Sequence, residues 1–357
     1  MNYNEIRRKT KEIKVGGLII GGNAPVSVQS MTNTSSTDYD ALYRQIKSLE
    51  AAGCDLVRVA IPDMEAVRVL SKIKESDIKI PISADIHFDY KLAIAAAQAG
   101  ADKIRVNPGN IGDKDRIKAV ADECRLRGIP IRVGVNGGSL DKKVLARYEE
   151  PSGKALAESA LENVRILESF DFDNIVVAVK SSNVARMTEA NEIIASSCQY
   201  PIHLGVTEAG SSFAGTVKNS IGIGSLLLKG IGDTIRVSLT ADPVLEIKSG
   251  RQILASLGMD NKRNIEIVSC PTCGRTKIDL IGLVNEFESR ISEITTEKKL
   301  KVAIMGCVVN GPGEASDADI GVAGGEKEAM LFKKGKTVRK IPEDRIIDTL
   351  IEEINQL

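Results

Sequence analysis

The chain contains no tryptophan and only 3% aromatic residues, so Leu, Ile, Val and Ala must carry its core. It also lacks an excess of either charge. Lys+Arg and Asp+Glu both number 48, which excludes a global basic footprint for nucleic acid and leaves any anion site local. Long apolar runs are missing as well, and the amino-terminal stretch MNYNEIRRKTKEIKV is too charged for a signal peptide. The expectation is a cytoplasmic protein with no membrane or nucleic-acid partner. Low-complexity linkers and solenoid periods are absent. With 43% hydrophobic and 27% charged residues over 357 positions, the chain has an ordinary globular profile and room for one large domain plus a smaller one.

From about Val26 to Ser238, short β-rich runs alternate with amphipathic stretches. The runs are PVSVQSM, DLVRVAIP, PISADIH, KIRVNPG, IRVGVN, NIVVAVK, PIHLGV and TIRVSL. Between them, segments such as YDALYRQIKSLEAAG place apolar residues three and four apart and end in Gly, as helices do. This alternation predicts a TIM (β/α)8 barrel over residues 1–240. An open doubly wound sheet is the alternative, but no Gly-rich dinucleotide fingerprint follows the first run. ADPVLEIKSGRQILASLG then reads as a helix leaving the barrel, a connector over 241–259. From 260 to 357, NIEIVSC, KVAIMGC and ADIGVAGG read as strands of a small α/β domain with helices between and after them.

Cations stand inside several of the barrel runs: Arg58, Arg105, Arg132, Lys180 and Arg236. Arg and Lys are rarely buried without partners. Strand alternation puts Arg105 on one face with Asn107, Arg132 with Asn136, and Arg236 with Ser238. Barrel sites form at the carboxyl ends of the strands, so these groups converge on one mouth. Asp85, His87, His203 and Glu208 supply acid and base groups at the same rim. A phosphate or diphosphate would satisfy the set through charge-assisted hydrogen bonds. The bland reading gives each cation a carboxylate or a snorkelling path to solvent.

Six cysteines in a chain of this kind do not form a secreted disulfide framework. Cys54, Cys124 and Cys198 are scattered and read as small buried hydrophobes. Cys270 and Cys273 form a C-x-x-C pair in SCPTCG, and Cys307 follows a similar strand in MGCVVNGPGEA. Zinc and iron-sulfur both accept such a pair. A closed zinc site wants a fourth Cys or His, which this region lacks. Glu314 stands in the same loop as Cys307, either as a weak oxygen ligand or as a solvated loop residue. Three thiolates and an exchangeable oxygen suit a 4Fe-4S cluster with one accessible iron.

Taken in order, SVQSMTNT, ADIHF, IRVNPGN, RVGVN, HLGVTEAG, SCPTCGR and MGCVVNGPGEA resemble the bacterial 4-hydroxy-3-methylbut-2-enyl diphosphate synthases of the methylerythritol phosphate route. The resemblance covers nearly the whole chain, in the two-domain form without the extra domain of plant-type members. It implies an oxidoreductase acting on CH or CH2 groups: two electrons, passed singly through one 4Fe-4S cluster per chain, open 2-C-methyl-D-erythritol 2,4-cyclodiphosphate and remove a hydroxyl as water. It assigns the cluster to Cys270, Cys273, Cys307 and Glu314. The diphosphate falls to Arg58, Arg105, Asn107, Arg132, Asn136, Lys180, Arg236 and Ser238. Glu208 lies near the reacting carbons, and Asp85, His87 and His203 line the pocket. Flavodoxin or ferredoxin is the implied electron donor, and a homodimer shares its active sites between subunits. Two other classes fit the residues: a zinc-dependent barrel transferase acting on a phosphorylated substrate, and a non-enzymatic iron-sulfur sensor.

Overall fold

Eight short runs rich in β-branched residues pair side by side as parallel strands in the computed structural model, which describes residues 3–357 except 138–139, 141–143, 145, 149, 261, 263, 297, 308–314 and 316. They are β1 Ser27–Met31, β2 Leu56–Ala60, β3 Ile82–Asp85, β4 Lys103–Val106, β5 Ile131–Asn136, β6 Ile175–Lys180, β7 His203–Leu204 and β8 Thr234–Ile235. Each pairs with the next, β8 returns to β1, and a bridge from Val177 to Ile202 closes the ring between β6 and β7. The last two strands are only two residues long, shorter than the runs PIHLGV and TIRVSL suggest.

The helices of the shell are α1 Tyr39–Ala51, α2 Met64–Lys74, α3 Tyr90–Gln98, α4 Lys114–Arg127, α5 Gly153–Glu168, α6 Val184–Ser197, α7 Ser212–Leu227 and α8 Pro243–Ser256. Asp38, Asp63, Asp113 and Ser152 begin their helices by accepting a hydrogen bond from the first-turn backbone. The segment read as a helix leaving the barrel is α8. It packs back on β1, where Gly250 gives Val28 room: a Cβ there would stand 2.7 Å from a Val28 methyl. Outward strand residues such as Val28, Val57, Ile104, Val133 and Val177 meet the helices in one continuous apolar layer.

Inside the ring the chemistry differs. Register steps one residue per strand, so inward side chains fall into tiers of four from alternate strands. The lowest tier holds Leu56, Lys103, Val176 and Thr234. An antiparallel hairpin, Ile13–Val15 with Leu18–Ile20, plugs it from below by packing Ile13, Val15 and Ile20 on Leu56 and Val176. Above come Gln29, Ser83, Arg132 and His203, then Arg58, Arg105, Ala178 and Arg236. Met31, Asp85, Gly134 and Gly205 follow, and Ala60, Asn107, Lys180 and Ser238 form the rim. Branched apolar residues usually fill these positions. Here three tiers, the rim among them, are built mostly from polar and cationic groups.

The chain divides at Asp260/Asn261 into two compact units. The second is a five-stranded sheet in sequential order: β9 Ile265–Ser269, β10 Leu300–Met305, β11 Ile320–Gly324, β12 Glu328–Lys333 and β13 Lys336–Pro342. The first three strands are parallel and the last two antiparallel. Helices α9 Leu280–Arg290 and α10 Ile346–Asn355 cover it through Phe287, Ile347, Leu350 and Ile354. The closing hairpin β12–β13 is absent from the sequence reading. Its turn is Lys334–Gly335, both at positive φ (46° and 72°), and a lysine there carries none of the usual Asn or Asp turn signal.

Candidate active site

Five strands aim a cation into the mouth of the barrel, and the tiers explain how all fit. Arg58, Arg105, Arg132, Lys180 and Arg236 line one cavity with Asp85, His87, Asn136 and Ser238, with about 450 Å³ of space that includes open solvent at the mouth. Two glycines make the space. A Cβ on Gly134 would stand 2.8 Å from Arg105 Nε, and one on Gly205 would stand 2.9 Å from Lys180 Nζ. The small residues in RVGVN and HLGV are therefore clearances for cations.

Two buried carboxylates face the cations. Asp85 accepts from Arg105 Nη1 at 3.0 Å and lies 3.4 Å from Arg58 Nε. Burial pushes its carboxyl up, but Arg58, Arg105 and Arg132 outweigh this and hold it down at about 2. Glu246, from α8, accepts from Arg236 Nε and Nη2 at 3.2 Å, from Ser30 Oγ at 2.8 Å and from Leu239 N at 3.1 Å. Among the described residues, the pocket cations have no other carboxylate partner within ion-pair distance. Burial lowers Arg58 to about 10. Burial first, then the neighbouring guanidinium groups, pushes Arg132 and Lys180 well below their ordinary values; guanidinium groups stay charged regardless. Arg132 Nε and Nη1 have no hydrogen-bond partner although the side chain is buried. Cations concentrated in one cavity with few carboxylates to balance them suit a polyanionic ligand.

Not every residue expected at the rim lines this cavity. Asn107 is buried and caps the short helix Pro108–Ile111 by accepting from Gly109 N, with Asn163 Nδ2 3.5 Å away. His203 is fully buried, two tiers below the Gly205 clearance, with neither ring nitrogen hydrogen-bonded. Glu208 is exposed on the loop after β7, at a left-handed φ of 52° that a non-glycine residue adopts at a cost. His87 is exposed at the cavity edge, followed by Phe88, one of the exposed aromatics. Sequence reasoning missed Lys103, Gly134, Gly205 and Glu246. Lys103 could have been found, since it precedes Arg105 by two residues and shares its face.

In the second unit, β9 and β10 end side by side, Ser269 opposite Ile304. Cys270 and Cys307 follow these ends. Gly306 N donates to Cys270 Sγ at 3.3 Å, and Lys277 N donates to Gly306 O at 2.9 Å, tying the two loops together. A Cβ on Gly306 would stand 2.9 Å from Thr276, so glycine permits this approach. Cys273 is exposed, and hydrogen bonds from the Arg275 backbone and side chain hold its thiol below the usual range. Among the described residues, no group of three His, Cys, Asp or Glu side chains is gathered closely enough to hold a metal. Glu314, the expected fourth ligand, lies outside the described residues. The donors fit an iron-sulfur group in kind: soft thiolates on adjacent strand ends, one accepting a backbone N–H.

No described helix is long and apolar enough to cross a membrane. Comparison with solved structures finds type I 3-dehydroquinate dehydratase from Clostridium difficile (TM-score 0.52, 14% identity, 70% of this chain and 98% of that one). Dihydropteroate synthase from Thermus thermophilus is similar at TM-score 0.51 and 15% identity, over 70% of this chain and 98% of that one. Both likenesses concern the barrel fold alone. Among curated proteins, 4-hydroxy-3-methylbut-2-en-1-yl diphosphate synthase (flavodoxin) of Ruminiclostridium cellulolyticum is 54% identical over 98% of both chains. The protein of that name from Caldanaerobacter subterraneus is 54% identical over 99% of this chain and 98% of its own. Residues 10–251 match the GcpE TIM-barrel domain and residues 266–356 the GcpE protein C-terminal domain, so the chain belongs to the GcpE family.

Proposed function

We propose that this chain is a cytoplasmic 4-hydroxy-3-methylbut-2-en-1-yl diphosphate synthase that takes electrons from flavodoxin and reduces 2-C-methyl-D-erythritol 2,4-cyclodiphosphate. The observation that carries the reading is the cavity in which five cations face two carboxylates, Asp85 shared by Arg58 and Arg105 and Glu246 paired with Arg236. The full-length identity to synthases of that name supports the same reaction.

Arg58, Arg105, Arg132, Lys180 and Arg236 seat the two phosphates, while Asn136 and Ser238 orient them. Asp85 and Glu246 fix the forks of Arg58, Arg105 and Arg236 before substrate arrives, so little side-chain entropy is lost on binding. Ring opening leaves one more negative charge on the diphosphate. That charge develops beside cations already in place. The departing hydroxyl needs a proton to leave as water, and Glu208 and His87, on loops at the mouth, are the candidate donors. Cys270, Cys273, Cys307 and Glu314 would hold a 4Fe-4S cluster, which when bound supplies low-potential electrons one at a time.

The site is completed in a homodimer, with the carboxyl-terminal unit of one subunit over the barrel of its partner. Phe88, 73% exposed on the loop after β3, and Phe213, 82% exposed in the first turn of α7, offer apolar contacts in a protein with few aromatics. Anaerobic turnover of the cyclic diphosphate with a one-electron reductant tests the activity; a fully loaded, brown protein that yields no allylic diphosphate would sink the reading. Mixing Cys307→Ala subunits with Arg132→Ala subunits tests the dimer, because only sites built in trans recover activity.

A further inference from the structure

The lowest interior tier contains a group that the substrate pocket does not use. Lys103 is 0% exposed, and its Nζ has no hydrogen-bond partner. Its surroundings can be named on every side. Level with it stand Leu56 and Val176, and the apolar hairpin residues Ile13, Val15 and Ile20 close the tier from below. Beside it on β3 is Ser83, whose hydroxyl is also buried without a partner, and across the ring is Thr234, which accepts from Gln29. Above stand Arg132 and His203, then Arg58, Arg105 and Arg236.

Among the described residues, the nearby carboxylates are committed elsewhere. Asp85 faces Arg58 and Arg105; Glu246 faces Arg236; Asp233 faces Arg7. The Asp102 side chain turns outward to Lys74 and Ile82 N. A lysine sealed between an apolar plug and a stack of guanidinium groups has nothing to balance a charge. Burial first, then Arg132 and Arg58, push its ammonium well below the ordinary lysine range. His203 is pushed down in the same way, by burial first and then by cations that include Arg132.

We propose that Lys103 is a proton acceptor coupled to substrate binding: uncharged in the empty barrel, it becomes an ammonium when a diphosphate is seated on the cations above it. This rests on the cyclodiphosphate reading of the pocket. The step balances simply, since the Nζ lone pair takes one proton from solvent and no other bond changes. The ligand supplies the missing negative charge, and the arginines that repelled a charged Lys103 become neutralised by it. Binding and proton uptake are then linked, and each strengthens the other. Lys103 touches no reacting atom; it is a positioning residue for charge, placed so that the added charge of the ring-opened product meets a pocket one unit more positive.

Calorimetry of the anaerobic holoenzyme without reductant tests this, with the cyclic diphosphate as probe. Both its phosphodiester groups carry fixed charge near neutral pH and release or take up no proton themselves. In two buffers of different ionisation enthalpy at one pH near 8, the wild-type heats should differ by a net uptake. Lys103→Met, apolar and similar in length, should bind while taking up about one proton fewer. His203→Asn should leave that difference intact. Equal heats in both buffers for the wild type overturn the proposal without any variant. So does an uptake unchanged in Lys103→Met, or one lost in His203→Asn alone. Absence of any binding heat in the wild type would instead overturn the cyclodiphosphate reading, and this proposal with it.

Discussion

Gly134→Ala separates the role of a strand glycine from the stability of the strand. The added Cβ would stand 2.8 Å from Arg105 Nε and 3.2 Å from Nη2, so the guanidinium must retreat by roughly half an ångström or more to regain ordinary contact. Arg105 is not free to do so at no cost, because Nη1 is bonded to Asp85 at 3.0 Å. Stretching a buried hydrogen bond between charged groups forfeits about 1.5–3 kcal/mol. If that energy orients Arg105 for the ligand, affinity for the cyclic diphosphate falls about tenfold to a hundredfold. The strand itself should gain, since Ala in place of Gly contributes about 0.5–1 kcal/mol. The assay pairs calorimetric Kd with a thermal melt of the free protein. A Kd within twofold of wild type at unchanged Tm would refute the clearance argument. Gly205→Ala is a poorer probe because its Cβ would also meet Arg236 O at 2.5 Å, a backbone clash.

Glu246→Gln removes the carboxylate facing Arg236, leaving that cation among its like-charged neighbours. The free protein should lose about 3 kcal/mol of stability, and the Tm gain on adding ligand should exceed that of wild type; an unchanged free-protein melt would argue against the role. Arg7→Ala strips the buried partner from Asp233, 2.7 Å away, and should lower Tm by roughly 10 °C with the substrate Kd unaltered, so a tighter or weaker Kd counts against a purely structural strap. The folded-state pKa of Asp85 is depressed to about 2. Its contribution, on the order of 2 kcal/mol, is therefore present above the ordinary carboxylate range and lost as pH falls toward 2. Melts across that window should show a shallower pH slope for Asp85→Asn, and parallel slopes would contradict the assignment.

Much of the barrel can be read from its residues. Alternation of β-branched runs with amphipathic stretches is visible from Val26 onward, and the cations at Arg58, Arg105, Arg132, Lys180 and Arg236 share a face by simple strand periodicity. What stayed hidden depended on registry between strands. Lys103 looks like another basic residue until the stagger of the ring puts it beneath Arg132, sealed by the hairpin. Gly134 and Gly205 look like ordinary strand residues until the neighbouring strand supplies the side chain that fills their space. Glu246 lies in a helix that reads as a connector, and only packing on β1 brings it to Arg236. The β12–β13 hairpin was hidden by its Lys334–Gly335 turn, in which lysine adopts a conformation that favours glycine or asparagine. His203 shows the opposite error: expected at the rim, it sits deep inside because β7 begins with it, at the amino end of the strand and away from the mouth.

A barrel usually owes its firmness to a filled interior. Here the interior tiers hold cations that repel one another, and on the proposed reading the metabolite behaves as the last piece of the core. Every bound molecule adds to the folded state by mass action, and the empty protein is the form most exposed to proteolysis. In a cell starved of cyclodiphosphate the protein itself should become scarcer, with no change in its synthesis. Its abundance would then track the supply of the compound it consumes.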